Sequence, residues 1–154
     1  MHGHNFFELA YITGGTAEHT LETEVKTISA GDYFIVDYGC LHGFQNCKNL
    51  TLINCLFLPE TVDETLQGCR SFSQLLQGCL LKYYRMSLGK AKLARVFHDR
   101  NGQVGRLMQE MLLEYQEQKV GCYPLLRLKL LEILLLTLRG MIELEICLLY
   151  TSDA

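Results

Sequence analysis

Residues 1–15, MHGHNFFELAYITGG, place two histidines and a glutamate at the spacing H-x-H-x-x-x-E. The run FFELAYI is aromatic and apolar and stops at Gly14-Gly15, a strong turn signal, so it predicts a strand. A strand points every second side chain to the same face. One face of this strand would carry His2, His4, Phe6, Glu8, Ala10 and Ile12. Two imidazoles and a carboxylate then converge, a donor set that suits zinc, iron, manganese or nickel.

The period of two continues to about Pro59. Residues 18–28, EHTLETEVKTI, alternate apolar and polar side chains and predict one half-exposed strand, in which His19 covers the sheet rather than binding a ligand. Further strands are predicted in 33–39, 41–46 and 50–58. Short strands at close spacing, joined by glycine-containing turns, favour an antiparallel sandwich or jelly roll.

After Pro59 the period lengthens to that of a helix, so the sequence predicts an α+β protein. One predicted helix has an apolar stripe made of Val104, Leu107, Met108, Met111, Leu112 and Tyr115. Pro124 is suited to the start of a second helix, over about 125–139. That helix is apolar on most sides, which predicts a dimer interface as well as packing on the sheet. The residues expected at the dimer interface are Leu128, Leu131, Leu135 and Leu138.

The composition, with 154 residues of which 49% are apolar and 20% charged, predicts one soluble domain. Charged residues interrupt the apolar run in the last third, and the N-terminus lacks a secretory signal, so we expect no membrane span and a cytoplasmic location. Seven cysteines without a C-x-x-C pair indicate reduced thiols. The net charge of −3 gives no footprint for nucleic acid over the whole chain.

Basic residues are concentrated between Arg70 and Arg106, where eight Lys or Arg stand against the single acid Asp99. A solvated basic face is the favoured interpretation. The alternative is a docking surface for a second domain or an anionic ligand.

Two motifs in the first 46 residues resemble those of the cupins. The first cupin motif reads H-x-H, then three or four residues, E, six residues and G. His2, His4, Glu8 and Gly15 match it. The second cupin motif reads G, five residues, P, x, G, two residues, H, three residues and N. Gly31, Gly39, His42 and Asn46 match it. Asp37 stands where that motif has proline. The resemblance covers roughly residues 1–59.

The cupin resemblance implies a small β-barrel with its motif side chains facing the interior. His2, His4, Glu8 and His42 would then be the ligands of one divalent metal, or would contact an organic ligand without metal. Phe6 and Ala10 share the predicted face and are further candidates for the ligand cavity.

A cupin followed by helices resembles the sensory half of AraC-type transcription regulators. In that family the cupin binds a small effector, a sugar being one candidate here, and the long helix after it mediates dimerisation. A separate C-terminal domain with two helix-turn-helix units binds DNA. The resemblance therefore implies an effector-sensing, dimerising domain that contacts DNA only through that further domain. The runner-up is an enzyme, a metal-dependent cupin of dioxygenase or isomerase type.

Both ends of the chain depart from the regulator pattern. The cupin motif expects a glycine and most of a strand before His2, so we expect the barrel to be incomplete at its N-terminus. Residues 148–154 stop following the amphipathic pattern and resemble a translated adapter, so we expect a non-native tail. The predicted organisation is a cupin-like barrel over 1–59, a helical segment over 60–147, and that tail.

Overall fold

The computed structural model describes residues 5–83 and 96–152, with side chains for 5–78 and 96–143. Within these residues one antiparallel sheet contains strands β1 (Phe7–Leu21), β2 (Glu24–Ser29), β3 (Asp32–Val36), β4 (His42–Phe57) and β5 (Val96–His98). The helices are α1 (Pro59–Val62), α2 (Phe72–Tyr83), α3 (Gln103–Glu117) and α4 (Cys122–Ser152), with a 3₁₀ turn at Glu64–Leu66. The predicted α+β class, an antiparallel sheet followed by helices, is thus confirmed.

Strand β1 is the centre of the sheet. On one edge it pairs with β4 from Phe7 to Leu21. On its other edge its first half pairs with β3 and its second half with β2, while β5 extends the sheet beyond β3. The result is a curled half-barrel in which most of the strand pairing passes through β1.

The predicted turn at Gly14-Gly15 is wrong, because β1 runs through it as a bulge. From Ile12 to Gly14 β1 advances two residues while β4 advances one, from Leu52 to Thr51. This inserted residue exchanges the two faces of β1. Gly15 adopts a φ of 74°, and a Cβ there would overlap the carbonyl oxygen of Asn49, so only glycine fits at this position.

Two other strand predictions are corrected. The single strand expected over 18–28 is a tight hairpin, with β1 ending at Leu21 and β2 beginning at Glu24. Glu22 takes the left-handed conformation in that turn, with a φ of 55°. Conversely, the segments 41–46 and 50–58 form one strand, β4, in which Asn46 and Asn49 have positive φ and absorb two further irregularities.

The sheet is buried on both faces, by different means. Its convex face packs against the helices, and the sheet side chains of this helix-facing core are Phe7, Leu9, Tyr11, Tyr33, Ile35 and Phe57. The other face buries a cluster contributed by strands alone, here called the inner cluster: Ala10, Ile12, Ala17, Leu21, Ile28, Phe34 and Val36. Within the described ranges, the inner cluster is built from β1, β2 and β3 and contains no helical residue.

Helix α3 follows the predicted apolar stripe only in part. Val104, Leu107, Met108 and Met111 are buried, whereas Leu112 and Tyr115 remain exposed. Helix α4 begins two residues before Pro124 and runs as one helix to Ser152, well beyond the predicted end near residue 139. No helix among the described residues is long and apolar enough to span a membrane.

The four leucines expected at a dimer interface lie on different sides of α4. Leu128 is exposed and Leu135 is half-buried. Leu131 is half-buried and packs on the helix-facing core, and Leu138, only 2% exposed, belongs to it. Leu138 therefore stabilises the single chain instead of forming a free surface, a correction to the prediction. A helix that is apolar on most sides does not reveal from sequence which side faces its own sheet.

Two aspartates attach helices to the sheet. The carboxylate of Asp99 accepts hydrogen bonds from the Tyr11 hydroxyl at 2.7 Å and from the backbone amides of Val104 and Gly105, so it caps α3. Asp37, the residue in the proline position of the cupin motif, accepts a 2.7 Å bond from the Phe72 amide at the start of α2. The departure from the motif thus provides a helix cap.

The crowding at Gly15 gives a stability prediction. Gly15→Ala should lower the free energy of unfolding by more than about 3 kcal/mol, because a left-handed alanine costs about 1–2 kcal/mol and its Cβ would also overlap the β4 backbone. Gly39→Ala is the matched control, since Gly39 has a φ of 70° but no atom within 4 Å of an added Cβ. It should cost only about 1–2 kcal/mol. Urea unfolding measures both, and equal costs would contradict the proposed close approach.

Candidate functional site

A row of three polar side chains lies on the inner face of the sheet. Glu8 of β1, His42 of β4 and His19 from the second half of β1 are each no more than 6% exposed. Nε2 of His42 lies 2.8 Å from Oε2 of Glu8, and Nδ1 of His42 lies 3.3 Å from Nε2 of His19. We call Glu8, His42 and His19 the polar trio.

The bulge in β1 makes this convergence possible. Before the bulge the even-numbered residues Glu8, Ala10 and Ile12 point to the inner face. After it, the odd-numbered residues Ala17, His19 and Leu21 do so. Without the inserted residue, Glu8 and His19 would lie on opposite faces.

The two contacts of the trio differ in kind. Nε2 of His42 and Oε2 of Glu8 lie at an ion-pair distance. Nδ1 of His42 and Nε2 of His19 lie within hydrogen-bond distance, and the tautomers of the two rings decide which of them donates.

Burial holds His19 in its neutral form. Desolvation, reinforced by the neighbouring His42 and opposed by Glu8, lowers the pKa of His19 from 6.5 to about 4. The trio thus presents a neutral imidazole at its outer end at physiological pH.

Aromatic rings enclose this end of the trio. The His19 ring stacks on Phe34 with centroids 4.0 Å apart, and the half-buried Phe44 ring lies 5.2 Å from His19 and 6.3 Å from His42. A small cavity of about 10 Å³ borders His19, Leu21 and Val96. Hydrogen-bonding groups beside a half-buried aromatic face suit a small organic molecule with hydroxyl or ring groups.

The structure distributes the other predicted site residues unevenly. Ala10 lies in the inner cluster, on the same face as Glu8, as expected. Phe6 is half-buried and lines a separate cleft between β4 and the helices. His2 and His4 lie outside the described residues. His19 was expected only to cover the sheet and is instead a member of the trio.

A metal centre finds no geometric support in the described part of the chain. No group of three or more His, Cys, Asp or Glu side chains there is arranged to hold a metal ion. In addition, both ring nitrogens of His42 already face other side chains, Glu8 and His19.

A larger cleft, of about 660 Å³, opens on the helix side of β4. Its walls come from β4, α3 and α4, with Cys55, Met111 and Leu130 among them. Burial raises the pKa of the Cys55 thiol to about 11, so this sulfur stays protonated. The cleft and the trio lie on opposite faces of the same strand.

Comparison with known protein families matches residues 1–134 to the AraC-like ligand binding domain. The chain belongs to this family. The match runs from the first strand well into α4, so both the half-barrel and the helices packed on it are part of the AraC-like domain. It is a regulatory, effector-binding domain. A comparison with curated proteins finds no match.

The buried, neutral His19 predicts how the stability of this AraC-like domain depends on pH. Its pKa rises from about 4 in the folded chain to 6.5 in the unfolded chain, so the unfolded state binds more protons between these values. Above pH 6.5 the burial of His19 therefore does not change the free energy of unfolding. Below that pH the free energy of unfolding falls by about 1.4 kcal/mol per pH unit, about 3 kcal/mol in all by pH 4.

Urea unfolding from pH 7.5 to 4 measures this loss. His19→Gln should flatten the slope between pH 6.5 and 4, while the control His98→Gln, at an exposed side chain paired with Asp32, should keep it. Equal slopes in the wild type and His19→Gln would show that His19 is not the group responsible.

Proposed function

We propose that the chain is the effector-sensing and dimerisation unit of an AraC-type transcriptional regulator. It binds a small organic effector on the inner face of the half-barrel, and DNA is contacted by a separate domain rather than by residues 1–147. The observation that carries the proposal is the polar trio, because ionisable groups buried in an apolar interior cost stability unless they are paired. An all-apolar inner face would avoid that cost, so a row of donors and acceptors there favours ligand recognition.

The chemistry of the trio favours a neutral, hydroxyl-bearing effector. Imidazole and carboxylate groups together accept and donate hydrogen bonds, and Phe44 offers an aromatic face on which a ring can pack. A sugar has both properties. The buried Glu8 carboxylate disfavours an anionic effector at this position.

A non-enzymatic, effector-binding role is favoured over a metal-dependent cupin enzyme because the chain matches the AraC-like ligand binding domain over residues 1–134. The metal set with His2 and His4 stays a prediction, since both lie outside the described residues.

Dimerisation is proposed through the outward side of α4. Leu125, Leu128 and Leu135 are exposed or half-buried, and Leu128 and Leu135 are seven residues apart, so they lie on the same side of the helix. Leu113 of α3, 54% exposed, adds a further apolar side chain. Exposed leucines at this spacing favour a helical interface between two copies.

Effector binding is testable by thermal unfolding against a panel of monosaccharides. At least one sugar should raise the melting temperature, since a ligand at 100 times its Kd stabilises the folded state by about 2.7 kcal/mol. Phe44→Ala and His42→Gln should each abolish the shift of that sugar. The control Val25→Ala, at an exposed position of β2, should retain it. A shift that survives both site substitutions would place the sugar elsewhere and contradict the inner-face site.

The dimer is testable by light scattering of the full chain. The wild type should have twice the mass of one chain, and Leu128→Glu combined with Leu135→Glu should halve it, because two charges would be buried at the interface. Val25→Glu, a charge introduced at a comparably exposed apolar residue away from α4, should leave the dimer intact. A monomeric wild type, or a double variant of unchanged mass, would exclude this interface.

A further inference from the structure

The cleft on the helix side of β4 has the size and lining of a ligand site. Its volume of about 660 Å³ lies within the range of about 300–1,000 Å³ that is typical of small-molecule pockets. The inner-face cavity beside His19 measures only about 10 Å³. The cleft is therefore the larger candidate site and is separate from the polar trio.

The lining of the cleft is apolar with a single charge. Its walls include Ile53, Phe57, Met108, Met111 and Leu130. Methionine side chains adapt to the shape of an apolar guest, and two of them line this cleft. The exposed Tyr115 and Tyr123 also border it, so a large amount of apolar surface here meets solvent. An apolar patch of this kind on a folded chain indicates a binding surface.

Arg127 gives the cleft its electrostatic sign. Among the described residues that line the cleft it is the only charged one, and the polar side chains of Asn54 and Thr61 carry no charge. Lys129, two residues further along α4, is paired with Glu110 at 2.8 Å. Arg127 forms no ion pair with the part of the chain whose side chains are described. Its guanidinium fork is thus available to a carboxylate, which it can bind in a bidentate manner.

We propose that this cleft binds an amphipathic organic carboxylate, with an aliphatic chain between β4 and helices α3 and α4 and a carboxylate on Arg127. Burial of the chain supplies the affinity, and Arg127 supplies the preference for an anion over a cation. The site is independent of the inner face, where Glu8 disfavours anions, so the domain has two sites of different ligand chemistry.

Calorimetric titration of the full chain with octanoate, decanoate and octylammonium tests the proposal. Each carboxylate should bind with a stoichiometry of one, and decanoate should bind about 15-fold more tightly than octanoate, at about fourfold for each buried methylene. Octylammonium should bind at least about tenfold more weakly than octanoate, because it meets the charge of Arg127. Equal affinities for octanoate and octylammonium would overturn the role of Arg127.

Substitutions locate the site. Arg127→Gln should weaken decanoate binding about tenfold, while Arg139→Gln, at an exposed arginine of the same helix outside the cleft, should not. Leu112→Trp, at a half-exposed position in the wall, should fill the cleft and abolish binding without disturbing the core. His42→Gln should leave decanoate binding unchanged, which separates this site from the inner face. Circular dichroism confirms that each variant is folded.

Two outcomes would replace the proposal. Decanoate binding that is lost in His42→Gln but kept in Leu112→Trp would assign the carboxylate to the inner face. The absence of binding by any of the probes, together with a dimer that Leu112→Trp converts to monomer, would identify the cleft as an interface between two copies of the chain.

Discussion

One inserted residue in β1 determines which side chains meet inside the half-barrel. The strand enters with Glu8 on the inner face and leaves with His19 on the same face, because the bulge between Ile12 and Gly14 shifts the alternation by one. Strand β4 has two irregularities of its own, and at each of them it advances three residues while β1 advances two. Because two inserted residues restore the alternation, the faces of β4 are the same before and after them. His42 near its start and Leu52 beyond them therefore both face inward. The trio forms because β1 has one inserted residue, which exchanges its faces, while β4 has two, which leave its faces as they were.

The same bulge explains what the sequence could and could not predict. The period of two before Gly14 correctly placed Glu8 and Ala10 on one face, since side chains two residues apart in a strand point the same way. Gly14-Gly15 is a turn signal in most contexts, but here glycine is required by the close approach of Asn49 and the chain continues straight on. Interpreting it as a turn separated His19 from Glu8. No local pattern distinguishes the two cases, because the decisive contact lies more than 30 residues away on β4.

The helices show the opposite relation between pattern and structure. The stripe on α3 was visible because its polar face alternates with its apolar face, and the structure buries Val104, Leu107, Met108 and Met111 as that pattern predicts. Helix α4 is apolar nearly all round, so the sequence could predict a helix but not its orientation. The structure buries Leu130, Ile133, Leu134 and Leu138 against the chain's own core and leaves Leu128 outward. The capping bond from the Phe72 amide to Asp37 was equally invisible, since it joins residues 35 positions apart in the chain. The bond from Tyr11 to Asp99 spans 88 positions and was invisible for the same reason.

Strand β4 contributes to both the inner face and the cleft. Leu50 and Leu52 pack on the inner cluster, whereas Ile53, Cys55 and Phe57 line the cleft. Helix α4 closes the cleft on its other side and carries the outward leucines. One strand therefore supports the two proposed ligand sites and, across the cleft, faces the helix proposed to bring two copies together.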